Sequence, residues 1–181
     1  MKENRKLSMA ELNRLTIEEF KETKKIPLII VLDNVRSLNN IGSIFRTSDA
    51  LGVEAIYICG ISATPPHPEI HKTALGAEDS VVWEYFDTAA KAVDSLHKNA
   101  YKVFALEQTT QCTDIRNFLP SIEGKYAFVF GNELKGVSQQ TIDQCDGTIE
   151  IPQFGTKHSF NVAVTAGITI WDFFVKQTAK R

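Results

Sequence analysis

Beyond Pro27 the chain turns apolar without alternation, with Leu28-Ile29-Ile30-Val31-Leu32 hydrophobic at every position. A strand with one wet face alternates, so this run predicts a parallel strand covered on both faces and central in its sheet. Similar runs recur at Ala55 to Cys59, Tyr101 to Leu106, Tyr126 to Phe130 and Thr148 to Ile151, with helical patterns between them such as Asp87 to Lys98. Alternating strands and helices predict an α/β domain, a mostly parallel sheet with helices on both faces. The last segment, Phe160 to Lys176, places apolar residues at Val162, Val164, Ile168, Ile170, Trp171, Phe174 and Val175. It predicts a helix that is largely buried, in part against another subunit. Upstream, Ser8-x-x-Glu11 and Thr16-x-x-Glu19 are two capping boxes, which predict two short N-terminal helices. The expected organisation is a helical extension over 1–26 and one domain over 27–181.

A chain of 181 residues that is 43% hydrophobic suffices for a single core. The formal net charge of -2 means that any phosphate-binding surface is a local patch. The first 25 residues mix signs, as a solvated helical face does. Cys59, Cys112 and Cys145 are odd in number and widely spaced, so neither a disulfide framework nor a zinc site is expected. With a charged N-terminus and no apolar run long enough to span a bilayer, the expectation is a cytoplasmic protein without membrane contact. His67-Pro68-Glu69-Ile70-His71 differs in order from H-E-x-x-H, and Pro68 is expected to disrupt a helix there, so no metal is predicted.

Polar residues gather where apolar runs end, the place where open α/β sheets hold ligands. Asn39 to Asp49 follows the strand that ends at Leu32-Asp33-Asn34. An asparagine at a helix start caps it or holds a ligand, and Arg46 lies within two turns; spacing alone leaves open an ordinary capped helix with a surface arginine. Phe130-Gly131-Asn132-Glu133-Leu134-Lys135-Gly136 is a turn after a buried strand. Its glycines let the backbone approach a ligand, and Asn132 and Glu133 offer hydrogen-bonding groups, although a plain connecting loop has the same look. Ile151 to Asn161 joins the last strand to the last helix, with Ser159 as a candidate cap and Asn161 then in the first turn. Walker A, G-x-S-x-G and G-x-G-x-x-G are all missing, which removes support for nucleotide hydrolysis, esterase-type and dinucleotide chemistry.

Together and in this order, the three segments resemble the motifs of the SpoU (TrmH-like) family of RNA ribose 2′-O-methyltransferases, within the SPOUT superfamily. NNIGSIFRTSDALGV, FVFGNELKGVS and IPQFGTKHSFNVAV carry the likeness, KTALGAEDSV is also family-like, and the match runs from about Pro27 to Val175. The resemblance implies a C-terminal deep trefoil knot, against the rule that chains are unknotted. It also implies bent S-adenosylmethionine in the knotted loops, a homodimer that completes each active site, and an RNA substrate, tRNA ahead of rRNA. By motif position the cofactor contacts fall on Gly131, Ile151 and Phe160, with Leu106 and the loop after it nearby. The active-site set falls on Arg46, Asn40, Glu133, Ser159 and Asn161.

Methyl transfer from a sulfonium is an in-line displacement, so the protein's task is mainly to place the ribose hydroxyl. Arginine stays protonated, and Arg46 therefore suits a phosphate clamp and stabiliser of developing alkoxide charge better than a base. Asn40, Ser159 and Asn161 are then expected to orient Arg46 or the ribose, and Glu133 to fix Arg46 through a charge-assisted bond. Phe160 and Gln153 depart from the leucine and methionine usual at these positions, which bears on cofactor affinity rather than chemistry. Where several relatives carry an N-terminal RNA-binding domain, a short helical extension stands here, so substrate choice is expected to come from the dimer surface and the termini. A catalytically idle RNA-binding or ribosome-assembly protein on this scaffold would be expected to lack Arg46 or Asn161, and both are present.

Overall fold

The computed structural model describes residues 4–8 and 10–178. Residues 1–3, 9 and 179–181, which belong to the expected extension and to the end of the expected domain, lie outside the described residues.

The chain opens with a 3-10 turn at Ala10–Leu12 and helix α1 (Ile17–Glu22). The first half of the domain then runs β1 (Ile26–Asp33), α2 (Leu38–Leu51), β2 (Val53–Cys59), α3 (Pro68–Ala74), α4 (Ala77–Ser80) and β3 (Val82–Phe86). The second half runs α5 (Ala89–Lys98), β4 (Tyr101–Leu106), β5 (Thr113–Asp114), β6 (Lys125–Phe130), α6 (Gln139–Ile142), β7 (Gly147–Glu150) and α7 (Val162–Thr178). Seven strands form one sheet in the order β3-β2-β1-β6-β4-β7-β5. Every pairing is parallel.

The unbroken apolar run in β1 is explained by two buried faces. Leu28, Ile30 and Leu32 join Ile41, Ile44 and Phe45 of α2 and Ala166, Ile170 and Phe173 of α7 in one core. Ile29 and Val31, pointing the other way, join Ala92, Val93 and Leu96 of α5. Phe173 fixes α7 to the sheet through edge-to-face contacts with Tyr126 and Phe128, at centroid distances of 5.5 and 5.6 Å.

Four local expectations need correction. Ser8 and Glu11 support only a single 3-10 turn, because the Ser8 hydroxyl donates to the Glu11 carboxylate (2.8 Å) instead of capping Glu11 N–H, and Asn13 enters the left-handed region (φ 45°) just after it. The Thr16 and Glu19 box does form and starts α1. Pro68 begins α3 rather than disrupting it, since the first turn has no internal acceptor for the N–H that proline lacks. Two edge strands, β3 and β5, are added to those expected: β3 pairs on one side only and lacks a continuous buried run, and β5 has two residues.

Candidate active site

The C-terminal ends of β4, β6 and β7 open into a cleft of about 1300 Å³. Its walls are the segment after Leu106, the loop from Gly131 to Val137, and the stretch from Ile151 to Val162.

The Gly131 to Gly136 loop is rigid by its own bonding. Asn132 and Gly136 exchange backbone hydrogen bonds of 3.1 and 2.8 Å. The Asn132 side-chain oxygen accepts from the N–H groups of Leu134 and Lys135 (3.0 and 3.1 Å), and its amide donates to the carbonyl of Asn34 (2.8 Å). A Cβ on Gly131 would lie 2.1 Å from the carbonyl carbon of Gly136. The close approach that requires this glycine is to the loop's own backbone.

Glu133 reaches from this loop to the start of α2. Its carboxylate accepts from the backbone N–H of Arg36 (3.0 Å) and of Ser37 (2.9 Å) and from the Asn40 amide (3.1 Å). Burial opposes the charged form, but these donors outweigh it and hold the carboxyl below its usual range. Ser37, not Asn39 or Asn40, caps α2, its hydroxyl accepting from Asn40 N–H at 3.3 Å.

Asn161 completes the chain of contacts, its amide donating to the Asn40 side-chain oxygen at 3.1 Å. Its own oxygen accepts from Ala163 and Val164 N–H (2.9 and 3.3 Å), so Asn161 caps α7 where Ser159 was expected to. Glu133, Asn40 and Asn161 thus form one relay with a consistent donor direction, because the Asn40 amide is committed to a carboxylate and its oxygen must accept. The relay joins all three polar segments.

Leu106, Gly131, Ile151 and Phe160 line the cleft, as do Glu133, Ser159 and Asn161. Asn40 meets them through the relay. Arg46 does not join them: it is exposed on α2, and its side chain makes no hydrogen bond or ion pair among the described residues. Six helical residues beyond Asn40 it stands about 9 Å along the axis and roughly 120° around it. The expected Glu133 to Arg46 bond is accordingly absent, the carboxylate being occupied by α2's N-terminus.

Glu107 was passed over in the sequence, although an acid directly after the apolar run of β4 was a signal. It lines the cleft and accepts from the N–H of Gln108 and of Val137, each at 3.0 Å. Elsewhere His67 caps α3 by accepting from Glu69 N–H (3.1 Å), and His71 pairs with Glu78 at 2.6 Å. Cys59 and Cys145 are both pushed up to about 12, each by burial first; the nearby Asp33 adds to it for Cys59, and Asp146 and Asp33 for Cys145.

Among known proteins, the SpoU rRNA Methylase family matches residues 27–171. A Staphylococcus aureus (strain MSSA476) protein assigned to the TrmH family tRNA/rRNA methyltransferases is 30% identical over 161 residues, 89% of this chain and 64% of its own length. The 23S rRNA (guanosine-2′-O-)-methyltransferase RlmB of Neisseria meningitidis serogroup B is 28% identical, with the same coverage of 89% and 64%. The chain thus spans less than two thirds of the length of these curated relatives. The crystal structure of the A. aeolicus TrmH/SpoU tRNA modifying enzyme superposes with a TM-score of 0.80 at 26% identity, over 91% of this chain and 82% of that one. AviRb from Streptomyces viridochromogenes, solved with AdoMet, shares the fold at a TM-score of 0.77 and 23% identity, over 87% of this chain and 63% of that one.

Proposed function

The chain belongs to the SpoU methylase family, and from that premise we propose that it transfers a methyl group from S-adenosylmethionine to a ribose 2′-hydroxyl of RNA, with tRNA the first substrate to test and rRNA the second. The observation that carries this reading is the Glu133, Asn40 and Asn161 relay, which fixes side chains of three distant segments beside one cleft.

The cleft suits the cofactor. Leu106, Ile151 and Phe160 offer apolar surface for a purine, while the hydroxyls of Thr109 and Thr148, 2.6 Å apart, offer partners for a ribose. Bound there, the cofactor supplies the electrophilic methyl group. The protein's own residues hold and orient. Glu133 fixes Asn40, Asn40 fixes Asn161, and the second amide hydrogen of Asn161 and the Ser159 hydroxyl remain to position the ribose.

Arg46 stays cationic and serves as a phosphate clamp and a stabiliser of alkoxide charge. It lies outside the cleft of its own chain, so a second copy is the arrangement that brings it to the chemistry. A surface for that copy is available on α7, where Val164, Ile168, Trp171 and Val175 form an exposed stripe at helical spacing. Helix α7 packs on α2, the helix that carries Arg46. The sheet order also favours a knotted C-terminus, because β6 inserts between β1 and β4, β7 lies beyond β4, and α7 then returns to α2. No helix among the described residues is long and apolar enough to cross a membrane, and we assign the protein to the cytoplasm, where its RNA substrates are.

The test is incubation with methyl-labelled S-adenosylmethionine and, separately, tRNA and rRNA from a strain lacking the gene, followed by nucleoside analysis, with Arg46→Ala alongside. A labelled 2′-O-methylnucleoside, lost in the variant, supports the proposal and names the RNA class. A labelled base refutes the ribose assignment, and no label with either RNA refutes the substrate assignment.

A further inference from the structure

Glu107 occupies an unusual place for a carboxylate in a ligand cleft, since both of its oxygens are taken by backbone. Oε2 accepts from Val137 N–H and Oε1 from Gln108 N–H, each at 3.0 Å. Its own N–H donates to the carbonyl of Ile149 (3.1 Å), which pins the residue to β7. One residue therefore ties together the end of β4, the end of β7 and the far end of the Gly131 to Val137 loop, its backbone holding β7 and its side chain the loop. The fit is close: Gly136 has φ +67°, and a Cβ there would lie 2.1 Å from Oε2. Val137 itself is buried in the core, so the clamp acts on an anchored point. The loop is held by two carboxylates, Glu133 on the α2 side and Glu107 on the β4 side, and the cleft opens beside the second.

We propose that Glu107 is a positioning residue that sets the width of the cofactor cleft by clamping the Gly131 to Val137 loop to the end of β4. The proposal rests on the reading of this cleft as the S-adenosylmethionine site. Its physical basis is the acceptor count: a carboxylate accepts from both N–H groups, whereas an amide in its place presents one oxygen and sets its NH2 against the other N–H. An aspartate keeps the charge but loses about 1.5 Å of reach, one carbon–carbon bond, and cannot span both donors.

The experiment is calorimetric binding of S-adenosylmethionine and, separately, S-adenosylhomocysteine to the full-length wild type, Glu107→Gln and Glu107→Asp, with steady-state kinetics on the RNA that the labelling test identifies. Both variants are expected to bind both ligands roughly tenfold more weakly, equivalent to about 1.4 kcal/mol, with KM for the cofactor raised and kcat at saturation retained. A residue that merely supports the fold would not split KM from kcat in this way. Unchanged affinity in Glu107→Gln overturns the proposal. So does full affinity in Glu107→Asp, and so does a loss confined to the sulfonium ligand, which would make Glu107 a direct charge partner. If the wild type binds neither ligand, the cofactor reading of the cleft fails first, and that result is distinct from wild-type binding unaltered by the variants.

Discussion

Replacing Glu133 by glutamine removes one charge and one acceptor oxygen while keeping the side chain's shape. The carboxylate now serves two backbone N–H groups at the start of α2 and the Asn40 amide. An anion at a helix N-terminus contributes about 0.3–1 kcal/mol, and a hydrogen bond to a charged group exceeds a neutral one by about 1 kcal/mol. Because Glu133 is only partly shielded from solvent, screening reduces both, and a net loss of about 1 kcal/mol is expected. For a chain of this size that lowers the Tm by roughly 2–4 °C. The effect on methyl transfer should be larger, because Asn40 and Asn161 lose their fixed orientation, and a misplacement near 1 Å reduces kcat by up to about a hundredfold. The sign of the pH dependence follows from the depressed carboxyl. With a folded pKa below the unfolded value of about 4.3, the stabilisation is complete above that value and is lost as pH falls through the folded pKa. Thermal denaturation of both proteins across pH, with kcat at neutral pH, is the assay. The Tm gap should be full at pH 7 and close on acidification below about pH 4. Equal Tm at pH 7 together with an unaltered kcat would refute the clamp.

If Arg46 acts on the cleft of a second copy, mixing inactive Arg46→Ala with inactive Asn161→Ala should restore about a quarter of wild-type activity, since each mixed dimer has one intact site; no recovery after subunit exchange would place Arg46 in its own chain's site. Trp171→Glu puts a charge in the exposed stripe of α7 and should yield monomers by light scattering, with the far-UV spectrum kept and methyl transfer lost; a dimer that persists would place the interface elsewhere. Cys59 and Cys145, both held up to about 12, should resist a thiolate-dependent disulfide reagent at pH 8 until the protein unfolds, and labelling should begin at Cys112. Modification of Cys59 in the native state would contradict the burial seen here.

The sequence alone determined the class of fold, because burial on both faces of a parallel sheet leaves runs such as Leu28 to Leu32 with no polar position to hide. It also located the three polar segments at strand ends, since backbone direction and connection rules put ligands there. Edge strand β3 was missed for the same reason that β1 was legible, as one-sided pairing imposes no continuous apolar pattern. The partners of the polar side chains were a different matter. That Glu133 grips the start of α2 rather than Arg46, and that Asn40 meets Asn161, depends on contacts between residues 93 to 121 positions apart. Only tertiary structure decides these, because hydrogen bonding is short-ranged and directional: a side chain's role is set by which donors the fold brings within about 3 Å, and sequence spacing does not encode that for distant segments.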